Sequence, residues 1–177
     1  MKFYIRFGFL FPVFLFCLTS CEKEQIKLPI EEHPVFFQYQ YINHAWGFVH
    51  NGILVDSLGK FHYFSMPENW TFPDNDGIIS KEALLNNLVT ADSIGHTISP
   101  YNLHRSVNLI NEVDNDSFSK LECHAFDGGG FTVSCFQWNE INGQYKEILL
   151  NLSGNCNQRN LDPDAFILTK LLIEEMN

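Results

Sequence analysis

Seven histidines and five cysteines carry most of the reactive chemistry in this 177-residue sequence. A metal centre would need them at ligand spacing. His33, His44, His50, His62, His96, His104 and His124 include no pair four residues apart, no His-Glu-x-x-His and no accompanying Cys-x-x-Cys. No metal and no other cofactor is expected. His44 and His50 flank Trp46 and Gly47 near a strand start, where they either converge on one site or bond separately to backbone. Separate loop and strand-edge histidines are the favoured reading. Asp74-Asn75-Asp76-Gly77 resembles part of a calcium loop, but the register fails. With Gly77 at the sixth position, the first and twelfth ligands fall on Phe72 and Ala83, which offer no side-chain oxygen. A polar turn is expected there and at Asp114-Asn115-Asp116. Asp127-Gly128-Gly129-Gly130 lacks the lysine and the strand-to-helix setting of a phosphate loop. Nor is there a Gly-x-Ser-x-Gly nucleophile elbow.

Cys21 has the most specific surroundings. Lys2 and Arg6 precede an apolar run from Phe7 to Leu18, interrupted by Pro12 and too short to span a bilayer comfortably, as in a signal-peptide core. Leu18-Thr19-Ser20-Cys21 then matches the lipobox of bacterial lipoproteins: a branched apolar residue, two small ones and a cysteine. The thiol takes a diacylglycerol through a thioether, and the peptidase needs small side chains before the cleaved bond. Residues 1–20 are therefore expected to be a lipoprotein signal peptide. Its removal would leave 157 residues with a formal charge of −12. Several acyl chains on Cys21 would hold the protein on its membrane.

Residues 21–34, charged and containing Pro29 and Pro34, read as the lipidated cysteine and a tether. Glu22 is not the aspartate that signals inner-membrane retention in enterobacteria, which favours the outer membrane. Lys23-Glu24 partly matches the surface-export signals of Bacteroidota lipoproteins, so periplasmic and outward orientations both stay open.

Residues 35–177 form one domain's worth of chain. Phe36 to Ile42, Gly47 to Asp56 and Phe61 to Met66 read as strands, the last two joined by the turn Ser57-Leu58-Gly59-Lys60. Ser80 caps a helix carrying Leu84, Leu85, Leu88 and Val89. Ser99-Pro100 starts a second helix, with Leu103, Val107 and Ile110 on one face. Leu121 to Phe126, Phe131 to Trp138 and Tyr145 to Leu152 read as strands, the last two around Asn142-Gly143. Asp162-Pro163 opens a closing helix with Ala165, Leu168, Leu171 and Leu172 on one face. The order is three strands, two helices, three strands and one helix. That predicts an α+β fold: an antiparallel sheet of about six strands with the helices packed on one face.

With Cys17 in the signal and Cys21 lipidated, Cys123, Cys135 and Cys156 remain for an oxidising compartment. Cys123 and Cys135 flank the glycine turn and are the easiest pair to join. A simple hairpin places them on opposite faces, so a bulge would be needed. The alternative is three buried thiols.

The 45% hydrophobic content excludes a disordered chain, and a net charge of −10 argues against nucleic acid as a partner. Six of the 17 phenylalanines lie within residues 3–16, so much of that excess belongs to the export signal. In the domain, Trp46, Phe48, Phe61, Tyr63, Phe64, Trp70 and Phe72 put rings on both faces of a strand pair. One face must be core; the other is covered or left for a partner. Trp46 and Trp70 are the first candidates for a ligand surface. The leading reading is a lipid-anchored binding module for an envelope protein or glycan. The alternatives are an envelope hydrolase with an unfamiliar site and a structural or inhibitor-like module.

Tyr41-Ile42-Asn43-His44-Ala45-Trp46-Gly47, Gly52-Ile53-Leu54-Val55-Asp56, Ala91-Asp92-Ser93-Ile94, Tyr145-Lys146-Glu147-Ile148-Leu149-Leu150 and the Ala165 helix together resemble small uncharacterised lipoproteins of Bacteroidota. The resemblance spans most of the mature chain and implies location and fold style, with no activity or site residues. It also implies O-glycosylation candidates. Asp56-Ser57-Leu58 and Asp92-Ser93-Ile94 are similar to that phylum's acceptor tripeptide, which makes Ser57 and Ser93 candidates, with an unmodified turn or helix end the favoured reading for each.

Overall fold

The computed structural model describes residues 33–176. The expected signal peptide, Cys21 and most of the tether lie outside the described residues. The elements follow the order β1 (Val35–Asn43), β2 (Val49–Asp56), β3 (Lys60–Ser65), β4 (Ile78–Ser80), α1 (Lys81–Val89), β5 (Asp92–Thr97), α2 (Pro100–Glu112), β6 (Glu122–Cys123), β7 (Gly130–Asn139), β8 (Gln144–Gly154), β9 (Cys156–Arg159) and α3 (Pro163–Glu175). The fold is α+β. One antiparallel sheet runs β5-β3-β2-β1-β7-β8-β9-β6, with β4 also paired to β8.

Among the described residues nine strands replace the expected six. β4 and β9, of three and four residues, are too short for a period to show, and β5, of six residues, carries no sustained alternation. The expected strand at Leu121 to Phe126 shrinks to the two residues of β6, which pair with β9 and not with β7.

Helices cover both faces of the sheet, which corrects the one-face expectation. On the first face Val55, Phe61, Val133, Cys135, Ile148 and Leu150 pack against Leu103, Val107 and Ile110 of α2 and Leu168 and Leu172 of α3. On the second, Leu54, Phe64, Phe136 and Tyr145 pack against Leu84 of α1. Alternation along each strand assigns these neighbours to opposite faces. A shifted register between Val35 and Phe37 brings Phe36 and Phe37 into the same core.

The caps form as their residue types require. Ser80 Oγ accepts from the Ala83 amide, Ser99 Oγ from Asn102 and Asp162 Oδ1 from Asp164. Pro100 and Pro163 occupy the first turns of α2 and α3, where no backbone donor is missed. The α1 face differs from its pattern: Leu84 is buried, while Leu85 and Val89 are exposed. Asn87 turns inward instead. It accepts from the Thr71 amide at 2.9 Å and donates to the Thr71 carbonyl at 2.8 Å, fastening the loop before β4 to the helix. Asp74 organises that loop, its Oδ1 accepting from the amides of Asp76 and Ile78. This is the polar turn expected from its sequence.

Candidate functional site

The first sheet face is only partly covered. Beyond the edge of α3, β1 contributes Tyr39 and Tyr41, β2 contributes Asn51 and Ile53, β3 contributes Tyr63 and β7 contributes Phe131 to one open surface. Its continuation toward α3 is lined by Val133, Asn151, Ser153, Ile173 and Met176. The two depressions, about 290 and 470 Å³, share Tyr39, Ile53 and Phe131 and so form one groove. Register creates it. Tyr39 stands opposite both Ile53 and Val133, Tyr41 opposite both Asn51 and Phe131, and Tyr63 opposite Ile53. The period of two keeps all of them on one face.

The rings form a continuous platform. Phe131 stacks with Tyr39 at a centroid separation of 5.9 Å and 26° between planes, and meets Tyr41 at 4.6 Å. Phe131 is 38% exposed and Tyr63 43% exposed. Burial raises the Tyr39 hydroxyl above its ordinary pKa, so it stays protonated and can donate. Amides of Asn51 and Asn151 and the hydroxyl of Ser153 border the rings, and among the described residues no ionised side chain lines either depression.

Tyr41 is held from below. Its hydroxyl donates to the Gly128 carbonyl at 2.8 Å and accepts from Asn43 Nδ2 at 2.9 Å. Gly129, at φ +73°, lies so close to Tyr41 that a Cβ there would meet its hydroxyl at 2.7 Å. The glycine run is a seat for this ring, a role closer to backbone approach than to a loose hairpin.

That seat is clamped covalently. Cys123 and Cys156 form a disulfide across β6 and β9, and Cys135 is a buried free thiol. The expected Cys123 and Cys135 pair is thereby corrected. With β6 on β9, Cys123 lies directly opposite Cys156, while Cys135 points into the first core from β7. Asn155, adjacent to the disulfide, accepts from the Gly128 amide through Oδ1 and donates its backbone amide to the Gly129 carbonyl.

The two tryptophans expected at a ligand surface separate. Trp46 is 86% exposed at the turn between β1 and β2, away from the groove. Trp70 is half-buried, 4.2 Å from the Phe64 ring centroid and edge-on to His50 at 5.0 Å, so it packs in the second core. His44 and His50 do not converge either: His44 is exposed, His50 is buried, and Phe48 lies between them. Aromatic walls strip water from His50 and lower its pKa to about 4, leaving it neutral at physiological pH.

His62 Nε2 lies 2.8 Å from Asp56 Oδ2, a histidine–carboxylate contact of the kind a hydrolase would use. Asp56 Oδ1 also accepts from the amides of Leu58 and Lys60, so this carboxylate serves the turn between β2 and β3. Neither residue lines the groove. Ser57 is half-buried in that turn, and the backbone of Ser93 pairs with His62 in the sheet. Among the described residues no three His, Cys, Asp or Glu side chains gather as a metal site.

Sequence reasoning named the aromatic density and the two-faced strands but not Tyr39, Tyr41 or Phe131. Their alternation was readable in each strand; which strands were neighbours was not. No family model matches the chain, and no match is found among curated proteins or solved structures.

Proposed function

We propose that the protein is a lipid-anchored binding module of the bacterial outer membrane that takes a neutral glycan on its open aromatic groove. The platform of Tyr39, Tyr41, Tyr63 and Phe131 carries the glycan assignment. A sugar ring offers an apolar C–H face and an equator of hydroxyls. Tyrosine and phenylalanine rings suit the first; Asn51, Asn151 and Ser153 suit the second. The absence of ionised groups from the groove lining favours an uncharged ligand. Anchoring rests on Leu18-Thr19-Ser20-Cys21, and the Cys123–Cys156 disulfide supports an oxidising compartment.

Affinity electrophoresis through gels containing neutral polysaccharides tests the ligand class. Retardation by at least one of them, lost in Phe131→Ala and Tyr63→Ala with folding intact, is the expected result. Equal migration of wild type and both variants in every gel rejects it. For the anchor, Cys21→Ala should abolish lipid labelling and release the protein from membranes; full retention rejects the lipobox assignment.

A further inference from the structure

The second face of the sheet holds a polar cavity that its core does not fill. Gln40 of β1, Thr132 and Ser134 of β7 and Glu147 of β8 wall a space of about 440 Å³, with Asp76 from the loop before β4 also lining it. Gln40 stands opposite Thr132 in the register, and Ser134 is the next residue on that face. Glu147, opposite Phe136, is diagonal to Ser134 and accepts a hydrogen bond from its hydroxyl. The outer edge of β8 is shared by β4 at one end and β9 at the other, and the cavity opens between them.

Three groups in this wall have unused pairing capacity. Among the described residues Glu147 has no basic partner: no described Lys, Arg or His lines the cavity, and Asp76 is the one other ionisable lining group among them. Loss of water pushes the Glu147 carboxyl above the usual carboxylate range, opposed by the Ser134 hydrogen bond. Gln40 is 8% exposed, and its Oε1 is engaged by His50 Nε2 at 2.9 Å. Its Nε2 makes no hydrogen bond to another described residue and, not being sealed from solvent, is open to the cavity. The Thr132 hydroxyl, in the same wall, is buried and unpartnered. A buried donor without an acceptor, as at Thr132, is costly, and a bound ligand that accepts from it removes that cost.

We propose that this cavity binds a small primary amine with an oxygen acceptor on a neighbouring carbon, the ammonium pairing with Glu147 and the oxygen accepting from Gln40. The cation supplies the missing countercharge, and the oxygen completes the amide. An anion is repelled by Glu147 and Asp76, and a neutral polyol leaves the carboxylate uncompensated. Amino sugars and amino-acid amides share this chemistry. The site lies on the opposite sheet face from the glycan groove and stands independently of it.

Titration calorimetry with glucosamine, glycinamide and glucose, from mildly acidic to neutral pH, tests the site. At least one amine is expected to bind, more tightly as Glu147 ionises, while glucose does not. Binding of glucosamine alone identifies an amino sugar; binding of glycinamide alone identifies an amino-acid amide. Glu147→Gln, which keeps the shape and removes the charge, should weaken amine binding by about tenfold or more. The proposal is overturned if neither amine binds at millimolar concentration, if glucose binds as well as the amines, or if Glu147→Gln binds them unchanged.

Discussion

His50 Nε2 donates to Gln40 Oε1 across 2.9 Å, linking β2 to β1 beneath a shell of aromatic rings. The bond needs no charge on the imidazole. Phe64, Trp70 and Phe72 all lie with ring centroids about 5 Å from it, so protonation would place a cation in an aromatic pocket without a carboxylate partner.

Stability should therefore fall on the acid side in a defined window. The His50 pKa is lowered from 6.5 to about 4, so the unfolded chain takes the proton first. The contribution is fully present above pH 6.5 and is lost progressively as pH falls to about 4. Its full size is about 3 kcal/mol, because every tenfold weakening of proton affinity on folding corresponds to about 1.4 kcal/mol. Urea midpoints measured across this range should drop more steeply in wild type than in His50→Gln; parallel curves would refute the assignment.

Reduction should expose the work of the disulfide. Cys123 and Cys156 are 33 residues apart in sequence, and joining them constrains the unfolded chain. Cys123→Ser should cost about 2–4 kcal/mol in urea unfolding. Cys135, buried in the first core, should resist iodoacetamide in the folded protein and react only after denaturation. Its thiol is pushed up by burial, with the Glu147 charge adding to the effect.

Gly129→Ala is expected to disturb the groove from behind. A Cβ there would meet the Ile42 carbonyl and the Tyr41 hydroxyl at 2.7 Å, at a φ that disfavours any side chain. A cost of about 1–3 kcal/mol is expected. Glycan binding should weaken as well, because Tyr41 must shift; unchanged stability and binding would show that the loop yields freely.

A paired substitution on α1 tests its observed orientation. Leu84→Ala, at a site fully removed from solvent, should cost about 2–5 kcal/mol. Val89→Ala, at a site 82% exposed, should change stability by about 0.5 kcal/mol or less. Thermal melts of both variants decide between this orientation and a helix that buries Val89.

How much of this was readable depended on whether the controlling contacts were local. The caps at Ser80, Ser99 and Asp162 are three-residue signals, and all three helices begin where those residues place them. Leu103, Val107 and Ile110 are likewise buried as their spacing demands. The α1 face departs from its pattern because Asn87, polar by type, commits both amide atoms to Thr71, 16 positions away. The disulfide departs from expectation for a related reason. Its pairing follows from β6 lying on β9, a long-range choice invisible in two residues of strand. The groove fell between these cases: the pattern showed a ringed face on each strand, and only sheet order assembled Tyr39, Tyr63 and Phe131.

The two ends of the sheet bear on how copies would meet on the membrane that the proposed lipid anchor implies. One margin is β6, only two residues long and pinned by its disulfide; the other is β5, whose pairing with β3 slips register between Lys60 and His62. Neither presents a long, flat row of free amides and carbonyls. Neighbouring copies concentrated in a single lipid leaflet would thus find no ready template for strand exchange, and a dense coat of this protein should remain a population of separate molecules.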